Sequence, residues 1–344
     1  MSTKLLAFWI DDQDQTEESQ NLSSDLLRIV WTHPTRFKSS LTTMKGSDLP
    51  DIFLVDLYLN QKPNSENVFF QDHGLTPGAL IREKFPEHPI YLVTNQENKN
   101  GYADLSKWSQ ATESVFDRIL TVKELQRYQK NEQSLYYDAL DYKTIRADTP
   151  RGDVKALIDL LRVPDSCEKL ISLTLPDNLR NGLTPDTDSE GEGNTISFSR
   201  WVRRQLMVVP GILSDSLRIS TLLGVNEVGF EKIAEIFSKA KYSGVFNGTH
   251  KSLWWVNEVT QLLFSEPGAA DVDSDEPWSI SNKIFDIQAE QRSRCAVCSE
   301  PFPETVGMDL DNKKESPVHI RCSQPDISKQ RYLYFDGFRS FRKN

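Results

Sequence analysis

From Lys4 to about Ala147, short apolar runs alternate with longer amphipathic or polar stretches, and this alternation limits the chain more than any other feature. KLLAFWI (4–10), LLRIVWT (26–32), DIFLVD (51–56), HPIYLVTN (88–95) and VFDRILT (115–121) read as strands. Ile52 to Val55 are apolar without alternation, as in a strand covered on both faces. FKSSLTTM (37–44), LTPGALIREKF (75–85, with Pro77 near its start) and DLSKWSQAT (104–112) read as helices. VKELQRYQKNEQSLYYDALDYKTIRA (122–147) reads as one long final helix. Strand–helix alternation on this scale predicts an α/β architecture, a doubly wound five-stranded parallel sheet.

Beyond Pro150 the pattern changes. RGDVKALIDLLRV (151–163), FSRWVRRQLMVVPGILSDSLRISTLLGV (198–225), FEKIAEIFSKA (230–240) and KSLWWVNEVTQLLF (251–264) are helical in period, with Pro210–Gly211 interrupting the second of them. LLGVNEVGFEKIAEIF has helix-turn-helix spacing: a turn at Gly224, then a helix from about Glu227. Residues 181–195 and 266–278 are acidic loops. A chain of 344 residues favours several domains. The expected division is 1–130, a mainly helical middle domain at 131–280, and a small module with a tail at 281–344.

The net charge of −10 argues against non-specific binding of nucleic acid by the whole molecule. No apolar run is long enough to span a bilayer. The start, MSTKLLAFWIDDQ, meets acids before a signal core could form. The expected location is cytoplasmic, with no membrane partner.

Acids stand where a sheet of this kind binds ligands. Asp11 and Asp12 follow the first strand, Asp56 ends the third and Thr94 ends the fourth. These strand ends lie side by side at the C-terminal edge of a doubly wound sheet. Three carboxylates there make a pocket of hard oxygen ligands suited to Mg²⁺. Such an ion neutralises a transferring phosphoryl group while a carboxylate attacks phosphorus.

With WIDDQ, DIFLVDLYLN, GLTPGALIREKFPEHPIYLVTN and FDRILT in this order, residues 1 to about 130 resemble a response-regulator receiver domain, a flavodoxin-like fold. The resemblance implies that Asp56 is the phosphoacceptor, that Asp11, Asp12 and Asp56 hold Mg²⁺, that Thr94 is the switch hydroxyl, and that a histidine-kinase-like protein is the partner. It is similar to receivers paired with divergent histidine-kinase-like ATPases in bacterial stress or phage-defence loci. Receivers carry a lysine and a proline directly after strand five, the lysine binding phosphate. Here Thr121 stands near that place and Lys123 two residues later, as the candidate phosphate-binding residue. Residues 60–73 form an insertion beside the site. A pseudo-receiver, the same fold never phosphorylated and acting as an adaptor, is the alternative.

Cys295 and Cys298, then His319 and Cys322, form a C-x2-C…H-x2-C set. Three thiolates and one imidazole complete a closed tetrahedral Zn²⁺ site, with no position left for a catalytic water. A structural zinc would fasten a module with little apolar core of its own. The layout looks like a treble-clef zinc finger, with the first pair on a knuckle and the second at the start of a helix. Cys167 reads as a core residue.

The tail SKQRYLYFDGFRSFRKN carries Lys329, Arg331, Arg339, Arg342 and Lys343 among aromatics, a composition that suits single-stranded nucleic acid. Packing of Tyr332, Tyr334, Phe335 and Phe338 on the helical domain explains it more simply. Glu227, Glu231 and Glu235 oppose DNA reading by the helix-turn-helix, while Arg200, Arg203 and Arg204 suit an acidic protein surface. No nucleophile–base pair or glycine-rich phosphate cradle is legible, so the expectation is a signalling protein rather than an enzyme.

Overall fold

The computed structural model describes residues 4–57, 59, 74–94, 114–132, 134–148, 154–180, 194–249, 252–309 and 314–323. It divides into two compact units. The first comprises Met1–Leu157 with Pro176–Trp201, the second Ile158–Leu175 with Val202–Asn344.

Five parallel strands form the centre of the first unit: β1 (Leu5–Ile10), β2 (Leu27–Thr32), β3 (Ile52–Asp56), β4 (Ile90–Thr94) and β5 (Arg118–Thr121). Their order is β2-β1-β3-β4-β5, the flavodoxin-like doubly wound order. Ile52, Phe53, Leu54 and Val55 are fully buried. Each such side chain contributes about 1.5–3 kcal/mol by leaving water, which fixes β3 at the centre. Helices α1 (Thr16–Leu22), α2 (Pro34–Leu41), α3 (Leu75–Lys84), α4 (Val122–Glu132) and α5 (Ser134–Asp148) belong to this unit. Phe37 of α2 and Ile81 of α3 join Ile10, Phe53, Val55, Ile90 and Leu92 in one core on one face of the sheet. Tyr91 points to the other face, where its hydroxyl meets the Asp138 carboxylate of α5. Gln126 of α4 donates to Glu18 of α1 at 3.0 Å.

One element is added to this unit and one expectation changes. α1 occupies TEESQNL, a stretch whose polarity hides a helix carried by Leu22 and its neighbours. The long final helix is two helices packed side by side: Tyr128 of α4 and Asp138 of α5 meet at 3.1 Å. Ten residues along one straight helix would part them by about 15 Å. Asp138 is fully buried, so α5 is built into this unit, and the division does not fall at residue 130. Helix Asn194–Trp201 also belongs here: Arg200 meets buried Asp117 at 2.8 Å, and Asp117 meets Arg82 at 2.7 Å.

The second unit is mainly helical. Helix Ser216–Leu222, a turn at Gly224 and helix Glu227–Ile233 have the expected helix-turn-helix order. Ile219, Leu223, Phe230, Ile233, Phe237, Val259, Leu263 and Ile280 share its core. Gly224 has φ +69°, and a Cβ there would lie 2.7 Å from the Trp278 Cβ, so only glycine suits the turn. Two short strands replace helix in the expected pattern. β6 (Leu213–Asp215) and β7 (Leu253–Trp255) pair antiparallel. Three residues are too few to show period-two alternation against flanking helical apolar spacing. Upstream, helix Asn194–Trp201 gives way to π-helical Val202–Leu206, and Pro210–Gly211 lies in the turn before β6.

A hairpin of β8 (Thr305–Asp309) and β9 (Lys314–Val318) separates Cys295 and Cys298 from His319 and Cys322. This segment shares a unit with the helices and does not stand alone from 281. Phe302 stacks on Trp278 with ring centroids 4.4 Å apart, so its apolar support comes from the helical core. Among the described residues no helix is long and apolar enough to cross a membrane. The segments 60–73, 104–112, 181–193 and the basic tail lie outside the described residues.

Candidate functional site: an acidic sheet edge and a thiol–imidazole cluster

The strand order reverses about β1 and β3, which are neighbours in the sheet. The crevice at the C-terminal ends of such strands is where doubly wound sheets bind ligands. Asp11 is the first residue after β1 and Asp56 the last of β3. Asp11, Asp12 and Asp56 each bring a carboxylate oxygen to within 4.8 Å of the others. Asp11 and Asp56 are buried and Asp12 is half-buried. The set is all hard oxygen with no thiol or imidazole, the chemistry that suits Mg²⁺ or another hard divalent cation.

The structure shows how this edge is held. Asp11 accepts the Gln13 N–H on Oδ1 at 2.8 Å and the Gln15 side-chain amide on Oδ2 at 3.2 Å. The Trp31 indole donates to the Asp11 carbonyl at 3.0 Å. Burial pushes the Asp11 carboxyl up to about 6; the Gln13 and Gln15 donors pull against the rise, and neighbouring Asp12 adds to it. A cation would reverse that balance by favouring the ionised form.

Three further features bear on the site. Thr94 ends β4 and is buried, and its register partner on β5 is Thr121. Gly74 donates its N–H to the Leu57 carbonyl at 2.8 Å, bringing the chain back beside β3. A Cβ at residue 74 would lie 2.1 Å from the Asp56 carbonyl oxygen, so the return past Asp56 requires glycine. Finally, the Thr121 N–H donates to Glu124 Oε2 at 2.7 Å and the Glu124 N–H to Thr121 Oγ1 at 3.1 Å, a capping box that opens α4. The place where a receiver lysine would stand is given to a helix cap, and Lys123 is exposed in the first turn of α4.

The second candidate site lies in the other unit. The donor atoms of Cys295, Cys298, His319 and Cys322 all lie within 4.8 Å of one another. Cys295 to Ser299 form a tight turn: the Ser299 N–H donates to the Cys295 carbonyl at 2.9 Å, and Ser299 has φ +63°. The Ala296 N–H donates to the Pro317 carbonyl at 2.9 Å, placing the turn beside the end of β9. The His319 N–H points at Cys295 Sγ at 3.4 Å.

The His319 ring is set from both sides. Nδ1 faces Cys298 Sγ at 3.3 Å and Nε2 faces the Pro301 carbonyl at 3.1 Å. A metal-ligating histidine commonly gives its second N–H to such a carbonyl, which leaves Nδ1 as the ligand atom here. Burial would raise the Cys295 thiol, but the N–H groups of Cys298, His319 and Val297 outweigh it and bring the thiol down to about 6. These donors could hold a metal ion, and the sulfur–imidazole set suits zinc. Cys322 lies in a 3-10 turn, Ile320–Cys322; the helix expected after it lies outside the described residues.

No protein-family profile matches the chain, and no curated protein matches it. Solved structures do match part of it. A CheY-like response regulator receiver from Methanospirillum hungatei is 8% identical, covering 40% of this chain and 98% of its own, with a TM-score of 0.28. The response regulator domain of CheB from Thermotoga maritima is 10% identical over 40% of this chain and 98% of its own, with a TM-score of 0.29. A response regulator from Burkholderia pseudomallei, solved with a phosphorylated aspartic acid, calcium and citrate, is 16% identical over 46% of this chain and 84% of its own, with a TM-score of 0.27. The fold of the first unit rests on its own strand order and registers.

The hydrogen bond of Gln15 to Asp11, the close approach of Gly74 to Asp56 and the pairing of Thr121 with Glu124 become visible only in the structure. The T-x-x-E spacing of the last pair was legible as a capping box. Gly74 had only its place at the end of a polar insertion to mark it. Nothing local marked Gln15.

Proposed function

We propose that the first unit is a receiver-type signalling module in which Asp56 accepts a phosphoryl group from a histidine-kinase-like partner. The single observation that carries this reading is the convergence of Asp11, Asp12 and Asp56 within 4.8 Å at the sheet edge. Mg²⁺ in that pocket would neutralise charge on the phosphoryl group. A carboxylate oxygen of Asp56 bonds to phosphorus as the donor's bond to phosphorus breaks, and the leaving group departs with the electron pair. Asp11 and Asp12 hold the cation, and the Thr94 hydroxyl bonds the new phosphoryl oxygens. Two receiver states then differ in population, biased by the added charge. The second unit carries the output to protein partners, with a structural zinc on Cys295, Cys298, His319 and Cys322. The chain signals in this reading and is not an enzyme.

A specific observation favours a second reading, the unphosphorylated adaptor: Thr121 and Glu124 spend the end of β5 on a helix cap, where receivers place a lysine. One experiment separates the two. Intact mass is measured after the protein meets Mg²⁺ and acetyl phosphate, with Asp56→Asn in parallel. One added phosphoryl group, lost in the variant, is expected. No added mass with acetyl phosphate or with a phosphorylated kinase domain sinks phosphorylation and leaves the adaptor.

A further inference from the structure

We infer that Gln15 sets the cation preference of the acidic pocket, favouring Mg²⁺ over Ca²⁺ by holding the Asp11 carboxylate in one orientation. This rests on the cation-pocket reading above.

Gln15 sits at the N-cap of α1, where serine, threonine, aspartate or asparagine is usual because a short side chain can bond the first helical N–H groups. Its side chain makes no such bond. Asp14 accepts the Thr16 N–H instead, at 2.9 Å. The Gln15 amide turns inward and donates to Asp11 Oδ2 at 3.2 Å, while the Gln13 N–H holds Oδ1 at 2.8 Å. A residue that breaks the local rule and spends its side chain on a candidate ligand is doing something for the site. The helix that carries it is steadied by the contact of Glu18 with Gln126.

A carboxylate with a donor on each oxygen cannot turn freely. One lone pair remains on each oxygen, and the two donors fix the direction from which either can reach a cation. Mg²⁺ takes six ligands in a nearly ideal octahedron at about 2.0–2.1 Å, whereas Ca²⁺ takes six to eight at about 2.3–2.6 Å and welcomes bidentate carboxylates. Fixing Asp11 therefore favours the smaller ion. Releasing it lets both oxygens swing onto the larger one. Gln15 touches no reacting atom, so it is a positioning residue.

The test titrates the full chain with Mg²⁺ and separately with Ca²⁺, following tryptophan fluorescence or heat. Gln15→Ala removes the amide, and Gln15→Met removes the donor while keeping the bulk. In both variants the Mg²⁺ Kd should rise about tenfold, the scale for losing a partner of a metal ligand. The Ca²⁺ Kd should stay or fall. Equal weakening of both ions would mean Gln15 only supports the fold, and unchanged affinity for both would mean it does not act on Asp11; either overturns the inference. If the unaltered chain binds neither ion, the pocket reading itself fails first.

Discussion

Among the described residues two clusters of metal-type donors stand out, one in each unit, and they are assembled by opposite means. Asp11 and Asp12 are more than forty positions from Asp56 in sequence, and only the placement of β1 beside β3 unites them. The four residues of the thiol–imidazole cluster lie between 295 and 322, joined by one tight turn, one hairpin and one short turn. Their electrostatics differ in the same way. The sheet buries Asp11 and so penalises its charge. The turn aims backbone N–H groups at Cys295 and so favours its thiolate. In the proposed reading, the first site would receive a cation into a finished fold. The second, in the proposed reading, would take part of its local order from the cation.

That contrast can be broken most sharply at Cys295. Chelation would remove, and Cys295→Ser would weaken, metal binding whose apparent free energy in zinc-finger peptides is about 10–16 kcal/mol at pH 7. Metal analysis should fall from about one zinc per chain to none, and limited proteolysis should then cut within 295–322 while β1–β5 stay protected. A metal-free protein with that segment intact would reverse the assignment.

The next effect concerns charge. The Asp11 carboxyl rises from the ordinary 3.8 to about 6 in the folded state, so its contribution to stability is present below pH 3.8 and lost as pH climbs through about 6. At pH 7 without divalent cation the ionised group costs the fold about 3 kcal/mol. Asp11→Asn should therefore raise the urea midpoint at pH 7 but not at pH 3.5, and should abolish the stabilisation that Mg²⁺ gives the unaltered protein. An Asn variant less stable at pH 7 would show that the carboxylate is held comfortably and that the contrast with Cys295 is false.

The smallest effect is steric. Gly74→Ala places a Cβ against the Asp56 carbonyl, an overpacking expected to cost about 1–3 kcal/mol. Urea unfolding should show the loss, and Mg²⁺ affinity should weaken with it because Asp56 must shift. A variant of unchanged stability would mean that the backbone at Gly74 moves freely and plays no part in shaping the pocket.

Much of the first unit was legible. IFLV and YLVT announced central strands because a parallel strand covered on both faces needs no polar alternation. α1 was hidden because TEESQNL buries little more than Leu22. The fold of α4 against α5 was hidden because the helical period continues through both, and period alone cannot show a reversal of direction. β6 and β7 were hidden by their length. At the sites, residue types and spacing pointed to Asp11, Asp12, Asp56 and all four zinc-type ligands, whereas Gln15 and Gly74 carry no pattern.

The sequence by itself determined which atoms could bind metal, since acids after apolar runs and a C-x2-C…H-x2-C spacing restrict the chemistry whatever the packing. It also determined the class of the first unit, through the period of its apolar residues. Only the tertiary structure decided which acids meet, that Gln15 holds one of them, that α5 belongs to the first unit, and that Thr121 caps a helix. Those facts depend on distances between segments far apart in the chain. Such distances follow from which buried faces fit together, and no local stretch of sequence encodes that choice.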